Sequence, residues 1–156
     1  MSLRDELERD RVSELPIRDA ICVTKDTSAG EAVGLMREKS LGCALIVDDD
    51  GAPVGLFSEQ SLLELLTKNA SLDEHTVGDF LDAAFMVVQD TDPITRVWNA
   101  IEHDGLRFIF VTDQKGKLLG VTGQRGLSEY LAEGFPQQVL SQRLGGTPWM
   151  QEREGA

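Results

Sequence analysis

The chain of 156 residues is short of cysteine, aromatics and basic charge. Two cysteines, Cys22 and Cys43, exclude a disulfide scaffold and fit a reducing compartment. Lys and Arg number 15 against 27 Asp and Glu, a formal net charge of −12. Polyanionic partners, nucleic acid or an anionic membrane surface, would be repelled by that balance. No apolar run approaches the roughly 18 residues that cross a bilayer. The longest are short, such as Cys43-Ala44-Leu45-Ile46-Val47. Met1-Ser2-Leu3-Arg4-Asp5-Glu6 carries acids where a signal peptide needs apolar residues. The expectation is a cytoplasmic chain without membrane or nucleic-acid contacts. At 41% apolar content it can still form a core.

The chain also repeats itself. Val23-Thr24-Lys25-Asp26-Thr27 returns 64 positions later as Val87-Val88-Gln89-Asp90-Thr91. Asp48-Asp49-Asp50-Gly51 and Gly55 return 65 positions later as Asp113-Gln114-Lys115-Gly116 and Gly120, and Leu62, Glu64 and Leu66 as Leu127, Glu129 and Leu131. Ile17-Arg18-Asp19 aligns with Val77-Gly78-Asp79, which leaves repeat 2 four residues longer. Each repeat predicts β-α-β-β-α. A short strand ends near Val23 or Val87-Val88. The following helix opens on a capping box, Ser28 with Glu31, in repeat 1. In repeat 2 it opens on an Asp92 cap with Pro93 in the first helical position. Ala29, Ala32, Val33 and Met36 share one helical face, as do Ile94, Val97, Trp98 and Ile101. A hairpin comes next, its turn needing the positive φ that Gly51 and Gly116 supply. Phe108-Ile109-Phe110-Val111 is apolar throughout, as in a strand covered on both faces. The closing helix carries Leu62, Leu63, Leu65 and Leu66, too wide for one core stripe, so an edge faces the other repeat or another subunit. A unit near 60 residues is marginal alone. The expected class is therefore α/β (α+β), two β-α-β-β-α repeats packed with pseudo-two-fold symmetry. The division is a charged arm at 1–14, repeats at 15–70 and 71–135, and a tail at 136–156.

This pattern resembles a tandem pair of cystathionine-β-synthase (CBS) domains, a Bateman module. The resemblance covers residues 15–135 and rests on Asp26-Thr27, the hairpin residues Asp48 to Gly55, and their echoes at Asp90-Thr91 and Asp113 to Gly120. It implies a non-enzymatic regulatory module that binds an adenosine nucleotide (AMP, ADP or ATP) or S-adenosylmethionine between the repeats. It also implies a homodimer and an unidentified regulated protein partner. By position, the first pocket would use Ala20, Ile21, Cys22, Gly42, Cys43, Ala44, Ser58 and Ser61. The second would use Ala84, Phe85, Met86, Arg107, Phe108, Gly123 and Gly126, with Arg125 placed for a phosphate. The family usually carries an Asp three residues after the post-hairpin Ser or Thr, gripping the ribose hydroxyls. Ser61 and Gly126 stand there instead, a change worth about tenfold or more in affinity. That departure keeps open a dimerisation or protein-interaction module with vestigial pockets.

Other motifs carry less. Asp48, Asp50 and Glu59 sit at calcium-loop positions, but Pro53 stands where that loop needs Gly. His75 and His103 lack partners at metal-ligand spacing. There is no phosphate loop and no GxSxG elbow. Asp26 and Asp90 read as turn and cap acceptors. Cys22 and Cys43 fall in one expected pocket. They read as free thiols, with a redox-sensitive pair as the alternative.

Overall fold

The computed structural model describes residues 2–134; the tail expected at 136–156 lies outside them. Two three-stranded sheets carry the architecture. In repeat 1, β1 (Cys22–Val23) lies parallel to β2 (Cys43–Val47), which pairs antiparallel with β3 (Pro53–Ser58). In repeat 2, β4 (Phe85–Gln89) lies parallel to β5 (Phe108–Thr112), which pairs antiparallel with β6 (Leu118–Thr122). Helices α2 (Ala29–Lys39) and α4 (Thr95–Glu102) make the crossovers. Helices α3 (Glu59–Thr67) and α5 (Gln124–Gly134) close the repeats. A leading helix, α1 (Leu3–Arg9), precedes them.

The hairpins share one chemistry. Asp48 Oδ1 accepts from the amides of Asp50 and Ala52 at 3.0 and 2.8 Å. Asp113 Oδ1 accepts from Lys115 and Lys117 at 2.8 and 2.9 Å. Gly51 and Gly116 adopt φ of 82° and 86°, a region open to glycine without steric cost. Even the register shift recurs, between Ile46 and Val47 and between Val111 and Thr112.

Strand alternation sorts the side chains into three cores. Ala44 and Ile46 of β2 face the helices of repeat 1, with Phe57, Leu65 and Val77. Ile109 and Val111 of β5 do the same in repeat 2. The alternate residues, Cys43, Leu45 and Leu56 from one sheet and Phe110 and Val121 from the other, meet between the sheets. The apolar run at 108–111 is thus explained, since both its faces are covered.

The arm is integral to repeat 2. Leu7, Val12 and Leu15 are buried with Val88, Ile94 and Val97. Two local expectations change as a result. Helix α4 starts at Thr95 rather than Pro93, because Pro93 bridges Arg11 and the Ile94 amide donates to the Asp10 carbonyl at 3.0 Å. Asp92 does not cap it. Its carboxylate accepts from the Gln89 amide and from Arg96, both at 2.8 Å. At α2 only half of the capping box forms, Ser28 Oγ accepting from the Glu31 amide at 3.1 Å.

The pseudo-two-fold relation also corrects the alignment of the lead-in segments. The Arg11–Pro93 bridge has its counterpart in Thr76–Ser28. The Val12 amide donates to the Asp92 carbonyl and Val77 to Thr27, each at 2.9 Å. Ser13 donates to Asp90 at 3.0 Å and Gly78 to Lys25 at 3.1 Å. Val77 therefore corresponds to Val12, not to Ile17, and the four extra residues vanish. Each lead-in then crosses to the opposite sheet. Arg18 pairs with Val121 at the edge of β6, and Asp82 pairs with Leu56 at the edge of β3.

Candidate functional site

A cavity of about 620 Å³ opens where the lead-in of repeat 1 crosses repeat 2. Pro16 and Arg18 form one wall and the α2–β2 turn, Ser40 to Gly42, another. Ile101 of α4 and the approach to β5, Gly105 to Phe108, form the third. The end of β6 and the start of α5, Val121 to Gly126 with Glu129, complete it. Both repeats contribute, and the volume lies within the few hundred to about 1,000 Å³ usual for small-molecule sites.

Close backbone approach shapes this pocket. A Cβ on Gly123 would stand 2.5 Å from the Arg107 carbonyl oxygen. One on Gly126 would stand 2.4 Å from Thr122 Oγ1 and 2.9 Å from the Pro16 carbonyl oxygen. Thr122 Oγ1 itself donates to that Pro16 carbonyl at 3.1 Å, tying the crossing segment to β6. The glycines where the family usually has Ser or Thr and Asp are thus demanded by packing.

Three guanidinium groups border the cavity. Arg18 donates to the carbonyls of Ser40 and Lys39 at 3.0 and 2.6 Å, satisfying the end of α2. Arg107 lies over the Phe108 ring, 5.6 Å from its centre, and 3.9 Å from the Glu59 carboxylate. Arg125 Nε is 3.3 Å from Glu129 Oε1. Arg107 and Arg125 side chains are 69% and 87% exposed, so these ion pairs hold them weakly and both are accessible to a ligand.

Of the residues expected in the second pocket, Arg107, Phe108, Gly123, Arg125 and Gly126 line this cavity. Ala84, Phe85 and Met86 stand apart from it, because Pro16 and Arg18 cross into the position they were expected to fill. Phe85 packs edge-on against Phe110, ring centres 6.0 Å apart, Met86 packs on the core of repeat 2, and the Ala84 amide donates to Asp82 Oδ1 at 2.8 Å. From the first set, Gly42 lines the same cavity. Ile21 and Ala44 belong to the core of repeat 1. Cys43 belongs to the inter-sheet core, with Ala20 packed against it. Ser58 and Ser61 are buried and bond mutually, each accepting from the other's amide at 3.3 and 3.1 Å. Ser58 Oγ also donates to Asp82 Oδ2 at 3.1 Å. Sequence reasoning missed Pro16, Arg18, Ser40, Leu41, Ile101 and Glu129. The 65-residue offset carried back to Val12 was a signal for the lead-in, obscured by the chance match of Ile17-Arg18-Asp19, but nothing local marked Arg18.

Cys22 is exposed, Cys43 is buried, and both thiols are free. Burial raises the Cys43 thiol to about 12 and moves Cys22 in the same direction. Against an ordinary value of 9.0, Cys43 holds about a thousandfold less thiolate at neutral pH. A thiol-reactive probe on the native protein is expected to label Cys22 alone, and Cys43 only after unfolding. Equal labelling rates by intact mass would contradict this placement. His75 lies 3.4 Å from Asp79 and edge-on to Phe80, a surface contact. Among the described residues no cluster of three or more His, Cys, Asp or Glu is placed to hold a metal. Nor is any described helix long and apolar enough to cross a membrane.

Known proteins share this arrangement. An uncharacterized protein of Methanopyrus kandleri is 25% identical over 111 residues, 70% of this chain and 57% of the relative, so the chain spans little more than half of that protein. A CBS domain protein from Pyrobaculum aerophilum, solved in complex with AMP, superposes with a TM-score of 0.67 at 24% identity, covering 76% of this chain and 90% of that one. A CBS domain pair solved with 5′-methylthioadenosine and S-adenosyl-L-methionine superposes at 0.69 with 16% identity, covering 80% and 98%. These two likenesses establish the shared fold. The model of the CBS domain matches residues 12–68 and again 77–133, the same two units that the hydrogen bonds define from Val12 and Val77, and the chain belongs to the CBS domain family as a tandem pair.

Proposed function

We propose that the chain is a non-catalytic regulatory module that binds an adenosine-containing nucleotide in the cavity between its repeats. The observation that carries this is the cavity itself, about 620 Å³ and walled by both repeats. Its wall combines the apolar Leu41, Ile101, Leu106 and Phe108, suited to a purine ring, with guanidinium groups suited to phosphate. Fold relatives solved with AMP and with S-adenosyl-L-methionine support the ligand class. Because Pro16 and Arg18 continue directly from the arm, an occupied cavity would bias the packing of α1, and a partner could read that change. A thermal-shift panel of adenosine, AMP, ADP, ATP and S-adenosylmethionine tests the reading. Ligand at a hundred times its dissociation constant stabilises by about 2.7 kcal/mol, or roughly 5–10 °C in this chain. No shift with any member at millimolar concentration would reject it.

A second reading, a homodimerisation module, has its own observation. Leu63 and Leu66 on α3 are 59% and 52% exposed, an apolar pair without cover in the single chain. Light scattering is expected to give a dimer that Leu66→Glu converts to a folded monomer, whose Tm is lower and no longer depends on protein concentration. A parent chain that is monomeric at all concentrations would remove this reading.

A further inference from the structure

Resting on the nucleotide reading above, we propose that the chain takes one phosphorylated nucleotide per polypeptide. The charge arrangement favours phosphate in the cavity on repeat 2 and repels it at the position related by the pseudo-two-fold axis. Within a chain of net charge −12, the cavity wall brings together Arg18, Arg107 and Arg125 against a single carboxylate, Glu129. With Glu59 beside Arg107 counted as well, three guanidinium groups still outnumber two carboxylates, a positive excess that suits a terminal phosphate, which carries about −1.5 to −2 at neutral pH.

The internal repeat makes the opposite arrangement visible. Under the pairing that relates the Arg18–Val121 bridge to Asp82–Leu56, Arg18 is replaced by Asp82. At the 65-residue offset, Arg107 is replaced by Gly42, Arg125 by Gln60 and Gln124 by Glu59. Each cation of one site thus becomes an acid or an uncharged residue in the other, and an acid replaces the neutral Gln124. Asp82 also draws the Ser58 hydroxyl to itself, at 3.1 Å, so that this donor faces a carboxylate. A phosphate there would meet Asp82 and Glu59 with Arg107, which takes the place of Gly42 and is already 3.9 Å from Glu59, as the one guanidinium group, and like charges in excess disfavour binding. Arg107 thus sits at the boundary between the two positions.

The same reasoning ranks ligands. Adenosine fills the apolar part of the cavity and gains nothing from the arginines. S-adenosylmethionine, with a sulfonium and an ammonium against one carboxylate, brings net positive charge to a positive wall. Isothermal titration of the whole chain with AMP, adenosine and S-adenosylmethionine separates them. The expected result is one AMP per chain, bound about tenfold or more tightly than adenosine, with S-adenosylmethionine weaker than AMP. Raising the salt concentration should narrow the gap between AMP and adenosine. Arg107→Gln combined with Arg125→Gln, two exposed positions, should weaken AMP about tenfold and bring its affinity down towards that of adenosine; circular dichroism confirms that the variant folds. Two AMP per chain, equal binding of AMP and adenosine, S-adenosylmethionine binding more tightly than AMP, or an unaffected double variant would each overturn the charge assignment while leaving an adenosine site in place. Absence of binding by all three would overturn both.

Discussion

Gly126→Asp, which gives repeat 2 the carboxylate its family usually carries there, is expected to destabilise the protein by about 3 kcal/mol instead of improving sugar binding. The new Cβ would stand 2.4 Å from Thr122 Oγ1 and 2.9 Å from the Pro16 carbonyl oxygen. The hydroxyl can rotate away only by abandoning its bond to Pro16, and the carbonyl belongs to a segment held by the Arg18–Val121 bridge. Overpacking of this kind costs about 1–3 kcal/mol. Repulsion between the new carboxylate and those two oxygens adds roughly another 1 kcal/mol after the charge of the neighbouring Arg125 is counted. Thermal denaturation should show Tm lower by about 6–12 °C for a chain of this length. Gly126→Ala should show the packing part alone. A variant with unchanged Tm and tighter adenosine binding would mean that the crossing segment is more yielding than its contacts indicate.

Phe110→Ala carries the other large effect, about 3–5 kcal/mol. Phe110 is 1% exposed and fills the space between the two sheets with Leu45, Leu56 and Val121. Its edge-on contact with Phe85 is lost at the same time. Total stability of a domain is about 5–15 kcal/mol, so one such cavity removes a large part of it. Because this layer joins the repeats and the proposed site lies where they meet, the variant should also lose much of its ligand-induced thermal shift. Leu119→Ala serves as the control, since that residue is 41% exposed and lies outside the three buried cores; urea denaturation should place it within about 1 kcal/mol of the parent. Comparable losses from the two variants would refute the division into three cores.

What could be read from the residues was local. The Asp-to-Gly turns, the helical face of Ala29, Ala32 and Met36, and the doubly covered strand at 108–111 each depend on neighbours a few positions away. The repeat could be seen because those local signatures recur in order. The crossing of Arg18 onto β6 and of Asp82 onto β3 joins positions far apart in the chain, and nothing in the crossing segments themselves announces it. Hence Pro16 and Arg18 were missed as cavity residues, while Phe85 and Met86, in the expected strand, pack into cores and do not line the cavity. The start of α4 failed for a related reason. Asp92-Pro93 has the composition of a helix cap, but Arg11 and Asp10 occupy that end of the helix.

The position of Leu7, Val12 and Leu15 bears on biosynthesis. These side chains are made before everything they pack against, since Val88, Ile94, Val97 and Leu127 follow along the chain. At roughly 5–20 residues per second, a ribosome leaves them without shelter for several seconds. Repeat 1 can organise during that interval, whereas the greasy leader must wait for the last helix to emerge, a window in which a chaperone that grips short apolar peptides would find its substrate.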